Sequence, residues 1–228
     1  VNRTAGGQAA PTDPLRPDTD ADSLRDGVET DTGIFVSAED TGTDPLDSDS
    51  DADTYLDGEE VIKGSDPNLA DSIPSTTDPI VDLDATELDP GPLPEWPNTG
   101  LLGGAFAASP DVPEVTTVQG VRGVTFNGLS HYYTGPGAPA FVTGDAARTI
   151  EAWINNPQAA DEETIFSFGR RGGPDGSNLS FNHGSNATYG AVGHWGTPDM
   201  GWEGQIATDQ WTYVVYTYDP ESQTASVY

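Results

Sequence analysis

A run of acidic residues repeats without gaps 31 positions further along the chain, and this periodicity constrains the fold more than any other feature. The segments TDPLRPDTDADSLRDGVE (12–29) and TDPLDSDSDADTYLDGEE (43–60) align residue for residue, and a third start, SDPN, follows at 65–68. A period of roughly 20–50 residues is typical of stacked units. We therefore expect residues 11–72 to form a repeated structure and not a random acidic tail.

The charge of the chain limits its partners. The 228 residues carry 38 acidic and 8 basic side chains, a formal net charge of −30, and residues 1–95 hold −21 of it. Such a surface repels nucleic acid and anionic lipid, which argues against both as partners, and it attracts cations. No apolar run approaches the roughly 18 residues of a membrane span. The absence of cysteine excludes a disulfide framework and a thiolate metal site.

The spacing within each repeat matches a calcium-binding loop. Such a loop has twelve residues and supplies oxygen ligands from positions 1, 3, 5, 7, 9 and 12, with a backbone carbonyl at position 7 and a bidentate Glu at position 12. The predicted ligands are Asp18, Asp20, Asp22, the carbonyl of Leu24, Asp26 and Glu29 in the first loop, and Asp49, Asp51, Asp53, the carbonyl of Tyr55, Asp57 and Glu60 in the second loop.

The register of the second loop can be tested by shifting its start. A start at Asp47 puts Gly58 at position 12, and a start at Asp51 puts Ile62 there, so neither supplies the final Glu. Only a start at Asp49 fills every ligand position. The matched spacing at one repeat offset therefore favours calcium loops over a solvated acidic tract.

Position 6 departs from the template. This position is usually Gly because the turn there is sharp. It is Ser23 in the first loop and Thr54 in the second, and a β-branched residue is a poor choice where the backbone needs a positive φ. Loops that once bound calcium and have lost their affinity therefore remain an alternative.

Residues 11–72 resemble the bacterial thrombospondin type 3-like calcium repeats, whose units run TDP-x-x-x-D-x-D-x-D-G-x-x-D-G-x-E. The resemblance implies calcium-wrapped loops without long flanking helices, in secreted or cell-surface proteins. It assigns the same acidic residues as the spacing does. The family has glycine at two positions of each loop that are occupied here by Ala21, Ser23, Ala52 and Thr54.

The rest of the chain changes in composition. Residues 73–114 are rich in proline and acidic side chains, which favours a semi-rigid linker, with room for a first strand. From residue 115 the sequence predicts an all-β sandwich, because short apolar segments alternate with Gly, Pro, Asn and Asp clusters. We expect Trp153 and Trp211 in its core. The candidate strands are 123–128, 148–155, 164–169, 178–184, 188–195 and 210–219.

Residues 115–228 resemble a laminin-G-like (concanavalin A-like) jelly roll, through VTFNGLSHYYT, RTIEAWIN, TIFSFGRRGG and QWTYVVYTYDPESQTASVY in that order. The resemblance implies an antiparallel two-sheet sandwich, truncated at its C-terminus, whose usual role is carbohydrate or protein recognition. Exposed aromatic rings would then bind a sugar face. The candidate ligand-binding residues are Trp195, Asp199, Trp202 and Glu203, and the alternative is that both tryptophans plug the sandwich.

An enzyme is not expected. No E-x-D-x-E pattern follows residue 115, so the paired carboxylates of a glycosidase on this fold are missing. We interpret the chain as mainly β: calcium-binding loops with little regular secondary structure, followed by the jelly roll. The function we expect is that of a non-catalytic, extracellular or cell-surface fragment whose repeat stalk presents a recognition module. The alternatives are a purely structural spacer and the non-catalytic part of a larger polysaccharide-degrading enzyme.

Overall fold

The structure is a computed structural model that describes residues 2–3, 9–10, 12–74, 78–169, 179–194 and 199–228. The chain divides into two compact units, Val1–Ala140 and Phe141–Tyr228. The predicted domain boundaries at residues 72 and 114 remain predictions, because the division into units does not test them.

The described chain is mainly β, as expected, and contains one short α-helix. The helix α1 spans Asp57–Lys63, and a 3-10 helix spans Ala140–Val142. The strands are β1 Asn2–Arg3, β2 Ala9–Ala10, β3 Gly91–Pro92, β4 Glu95–Pro97, β5 Ala105–Pro110, β6 Glu114–Val118, β7 Val121–Thr125, β8 His131–Thr134, β9 Arg148–Asn155, β10 Thr164–Phe168, β11 Leu179–Asn182, β12 Val192–Gly193, β13 Trp211–Asp219 and β14 Thr224–Val227. Every predicted strand overlaps one of these.

The strands form small antiparallel sheets. The first unit contains the pair β1-β2 and two three-stranded sheets in the orders β3-β6-β7 and β4-β5-β8. The second unit contains two three-stranded sheets in the orders β10-β11-β12 and β14-β13-β9. The mainly β, antiparallel character of the prediction is therefore confirmed.

The predicted linker contains regular structure. Strands β3, β4 and β5 all lie within residues 73–114. Their prolines occupy strand ends, with Pro92 and Pro97 closing the edge strands β3 and β4 and Pro110 closing β5. Edge and terminal positions tolerate proline because no ladder hydrogen bond is needed from its nitrogen. High proline content therefore did not prevent short strands from forming.

The core of the second unit lies between its two sheets. Strand β13 pairs with β9 along the full length of β9, and both match their predicted bounds closely. The fully buried side chains Phe181 and Tyr216 pack together with ring centroids 6.1 Å apart. On β9, Ile150 and Ile154 face this core, as their alternation with polar residues predicts.

The expectation that Trp153 is a core residue is wrong. Its side chain is 66% exposed and lies beside Tyr213, with ring centroids 5.2 Å apart. Trp153 alternates with the core-facing residues of β9, so it shares the opposite face with Glu151. Tyr213, which lies beside it on β13, is likewise 44% exposed.

Candidate metal sites

Each repeated unit opens with the same turn. The carboxylate of its first Asp accepts a hydrogen bond from the backbone N–H two residues on, a turn that Asp adopts readily. The three pairs are Asp13–Leu15 at 3.0 Å, Asp44–Leu46 at 3.1 Å and Asp66–Asn68 at 3.0 Å. The backbone N–H of the same Asp donates to a hydroxyl six residues on. These hydroxyls belong to Thr19, Ser50 and Ser72.

The third repeat therefore extends beyond SDPN (65–68), the four residues in which its start was recognised. It reproduces the opening turn and the hydroxyl contact through Ser72, so it spans residues 65–72. The missed signal is the match of SDPNLADS to TDPLDSDS at the start of the second repeat.

Within each loop, backbone N–H groups hold the aspartates at positions 1 and 5. The carboxylate of Asp18 accepts from Ser23 N at 3.3 Å, and that of Asp49 accepts from Thr54 N at 3.0 Å. The position 5 aspartates accept in the same way from the position 7 N–H groups, those of Leu24 at 2.7 Å and Tyr55 at 2.9 Å.

These contacts bring the predicted ligands at positions 1, 3 and 5 together in both loops. Each residue offers an oxygen atom within 4.8 Å of the other two. We call these groups the first cluster and the second cluster. The first cluster is Asp18, Asp20 and Asp22, and the second cluster is Asp49, Asp51 and Asp53. Both clusters could hold a metal ion.

The positions where the resembled family has glycine adopt a positive φ in both loops. These angles are 67° at Ala21, 92° at Ser23, 62° at Ala52 and 88° at Thr54. The sharp turn that the template requires is therefore present without glycine. An L-residue in this region costs about 1–2 kcal/mol because its Cβ crowds the following carbonyl oxygen.

We expect Thr54→Gly to stabilise the second loop by about 1 kcal/mol, because it relieves this strain and gives up only part of the gain to backbone entropy. Ser48→Gly is the matched control. Ser48 precedes the same loop and is not among the residues of positive φ, so glycine there should destabilise the loop. Hydrogen–deuterium exchange of peptides covering residues 49–60 measures both effects. Equal shifts for the two variants would contradict the role of positive φ.

The Glu at position 12 is buried in each loop. Glu29 is 4% exposed and Glu60 is fully buried. In both, Oε1 accepts a hydrogen bond from the hydroxyl of the first residue of the next repeat. Glu29 accepts from Thr43 at 3.2 Å, and Glu60 accepts from Ser65 at 3.0 Å. Sequence reasoning missed these two hydroxyl groups, although each repeat visibly opens with Thr or Ser.

The second carboxylate oxygen of each Glu lacks a partner. Oε2 of Glu29 and Oε2 of Glu60 are buried and have no hydrogen-bond partner, and the same is true of both carboxylate oxygens of Asp20. Leaving a buried carboxylate oxygen unpaired is costly, so native structures rarely do so. Bound cations are among the few partners that satisfy several such oxygens at once.

The position 9 aspartates close their own loops. Asp26 accepts from the N–H and hydroxyl of Thr19 at 2.8 and 2.9 Å, and Asp57 accepts in the same way from Ser50 at 2.8 and 2.7 Å. Of these two predicted ligands, Asp26 belongs to none of the acidic groups found among the described residues.

Asp57 is brought to a different loop from the one its spacing predicts. Its carboxylate lies with those of Asp22 and Glu29 in a group whose oxygens are all within 4.8 Å of one another. We call this group the junction cluster. The first two repeats also meet through a backbone N–H, because Gly58 N donates to Asp22 Oδ2 at 2.9 Å.

Helix α1 follows the second loop, whereas the first loop has no such helix. The segment DGEEVIKG continues as a helix because Lys63 pairs with Glu59 at 2.6 Å and Gly64 ends it in the left-handed conformation. The corresponding DGVETDTG carries Thr and Asp, which favour turns, and Asp31 there has a φ of 51°.

Burial raises the pKa values of these carboxyl groups. The pKa is raised to about 8 for both Glu29 and Glu60 and to about 7 for Asp22, chiefly by desolvation and further by neighbouring carboxylates. The same causes raise the pKa values of Asp20 and Asp57 to about 6. The charged forms are thus disfavoured in the absence of a cation.

The metal-free repeats should therefore lose stability as pH rises. The folded-state pKa values of Glu29 and Glu60 exceed the ordinary value of 4.5, so their contribution is fully present below that value and is lost as pH rises through about 8. We expect calorimetry of the metal-free protein to give a higher melting temperature for the repeats at about pH 5.5 than at about pH 8.5. The double variant Glu29→Gln/Glu60→Gln should show a much weaker dependence. An unchanged dependence would contradict the assignment.

The structure describes three of the four predicted ligand-binding residues of the second unit. Trp195 lies outside the described residues. Trp202 is half-buried and packs near Phe181, and its indole N–H donates to a backbone carbonyl at 3.2 Å. Asp199 accepts from His194 N at 2.8 Å, and Glu203 is exposed. Their role in ligand binding remains a prediction.

Comparison of the chain with protein families, with curated proteins and with solved structures found no match. The two family resemblances therefore remain hypotheses, which rest on the motifs and the geometry described above. In the described part of the chain, no helix has the length and apolar character needed to cross a membrane.

Proposed function

We propose that residues 12–72 bind calcium through their two loops, in the manner of the thrombospondin type 3-like repeats that they resemble. The observation that carries this proposal is the buried Glu at position 12 of each loop, whose Oε2 has no partner. This feature recurs at the repeat offset, and each loop also brings three aspartates together. A tract that bound nothing would have no reason to bury carboxylates in pairs of equivalent positions.

The donor set favours calcium over other divalent ions. The clusters consist of carboxylates, and such hard oxygen ligands suit calcium. Magnesium prefers a smaller octahedral shell and retains several waters, so it fits a multi-carboxylate loop less well. Calcium also supplies the positive charge that these buried groups need.

Isothermal titration calorimetry of the whole chain tests this proposal. We expect saturable binding of at least two calcium ions, with dissociation constants no weaker than about 1 mM, the weak end of extracellular modules. Glu60→Gln should abolish or greatly weaken one of these sites. Glu39→Gln removes the same charge from an exposed position outside the loops and should bind as the wild type does. No saturable binding up to millimolar calcium would contradict the proposal.

The second unit supports a further candidate function, which is carbohydrate recognition by a jelly-roll module of an extracellular protein. The exposed rings of Trp153 and Tyr213 lie side by side, and the hydroxyl of Tyr213 donates to Glu151. Flat aromatic rings beside a fixed acceptor suit the apolar face and hydroxyl groups of a pyranose. This pair is a better candidate platform than Trp202, which packs against the core.

Titration with a panel of soluble polysaccharides tests this second candidate. We expect Trp153→Ala to abolish binding and Trp153→Phe to retain part of it. Leu129→Ala truncates a side chain that is 94% exposed in the first unit and should have no effect. No binding by the wild-type chain to any member of the panel would favour the purely structural spacer.

A further inference from the structure

We propose that Asp57, a residue of the second loop, supplies a ligand to the cation of the first loop. The first site would then be complete only when the second repeat is folded against it. This inference rests on the proposed function and concerns the same cations. It reassigns Asp57, which the spacing alone places in the second site.

The geometry of the junction cluster carries the assignment. The carboxylates of Asp22, Glu29 and Asp57 offer oxygens within 4.8 Å of one another. Asp22 and Asp57 are fully buried, and Glu29 is 4% exposed. Three carboxylates in such proximity repel one another strongly where water cannot screen them. A divalent cation between them would turn this repulsion into attraction.

A second observation points to a ligand at this place. Oε2 of Glu29 is buried and has no hydrogen-bond partner, whereas Oε1 is held by Thr43. Both oxygens of Asp20, which neighbours the junction cluster in the first loop, are also buried without partners. The junction therefore contains acceptors that the described protein groups do not satisfy.

The carboxylates from the two repeats are also held in place. Asp22 accepts from Leu24 N at 2.7 Å and from Gly58 N at 2.9 Å. Asp57 accepts from the N–H and hydroxyl of Ser50. These bonds orient both groups before a cation arrives, which lowers the ordering cost of binding.

The arrangement is not symmetrical between the loops. The third repeat follows the shared pattern only as far as Ser72, which corresponds to position 2 of a loop. Its position 9 would fall on residue 79, which is Pro79 and cannot supply a carboxylate. The second site therefore receives no position 9 carboxylate from the third repeat. We infer that the first site depends on the second repeat, whereas the second site has no corresponding dependence on a position 9 carboxylate of the third repeat.

Two variants separate this role of Asp57 from its role in closing the second loop. Asp57→Asn removes the charge at the junction, and Asp26→Asn makes the same change at the equivalent position, where the same bonds to Thr19 are made. Ser50→Ala removes a closing hydroxyl bond of Asp57 and leaves its charge in place. Hydrogen–deuterium exchange followed against calcium concentration gives a separate protection midpoint for residues 18–29 and for residues 49–60.

We expect Asp57→Asn to raise the calcium midpoint of the first loop by at least about tenfold, the scale on which ligand-shell changes alter metal affinity. Ser50→Ala should leave that midpoint near the wild-type value, and Asp26→Asn should leave the midpoint of the second loop unchanged. A first-loop midpoint that Asp57→Asn does not move would overturn the assignment. The proposed function fails separately, if calcium protects neither loop of the wild type.

A further variant covers the case in which the second loop of Asp57→Asn stays unprotected at every calcium concentration. Asp57→Glu keeps the charge and the acceptors but displaces the carboxylate by one methylene group. A raised first-loop midpoint with a protected second loop would support the assignment. A first-loop midpoint equal to that of the wild type would overturn it.

Discussion

Replacing Gly58 with alanine is expected to destabilise the junction between the first two repeats by about 2–3 kcal/mol, the upper range for overpacking a tight contact. A Cβ at this position would lie 2.3 Å from the carbonyl oxygen of Asp22 and 3.2 Å from the Cβ of Ser23. The obstacle is backbone, which cannot move aside as a flexible side chain would. Helix propensity alone would favour alanine in α1 by up to about 1 kcal/mol, so a net loss would report the contact.

The repeat itself offers the control for this experiment. Gly27 occupies the equivalent position in the first loop, is exposed, and would place a Cβ with nothing within 4 Å. Gly27→Ala should therefore change stability by no more than about 0.5 kcal/mol. Hydrogen–deuterium exchange of residues 18–29 at saturating calcium measures both variants. Equal protection of that loop in Gly27→Ala and Gly58→Ala would show that the close contact between the repeats does not matter for stability.

Removing calcium should have a larger effect than any single substitution in the repeats. A ligand present at about 100 times its dissociation constant stabilises the form that binds it by about 2.7 kcal/mol, so two such sites contribute about 5 kcal/mol. We expect a chelator to open the repeats to trypsin after Arg25 and Lys63, which lie within or beside the loops. Both sites should resist cleavage when calcium is in excess.

The second unit provides the internal control for chelation. Its core around Phe181 and Tyr216 is apolar and contains no group of acidic side chains among the residues described there. Exchange in peptides covering β9 and β13 should therefore be the same with and without chelator. Magnesium added in place of calcium should restore little of the resistance to trypsin. Rapid cleavage after Arg25 at saturating calcium would contradict a calcium-dependent fold.

Several features of the loops could be predicted from the sequence because they are local. The aspartates at positions 1, 3 and 5 converge in both loops as their spacing requires, and Thr54 takes the positive φ that made it suspect. The same holds for β9 and β13, whose alternation is a property of consecutive residues. Each of these features depends on a dozen neighbouring residues or fewer.

Other features depended on which surfaces come together. Alternation showed that Trp153 and Glu151 share a face of β9, but it did not tell whether another layer covers that face. In the same way, the hydrogen bond from Ser65 to Glu60 joins the third repeat to the second, and the spacing within a loop does not reveal it.

The sequence by itself determined the period and the grouping of the aspartates at positions 1, 3 and 5, because these side chains come from one short segment. Only the tertiary structure decided where Asp57 belongs. Asp57 occupies the same position 9 of its loop as Asp26 does, yet its carboxylate lies against those of Asp22 and Glu29 in the preceding repeat. The packing of the second repeat on the first determines this position. It is possible because Gly58 has no side chain, so the backbone of Asp22 can approach it closely.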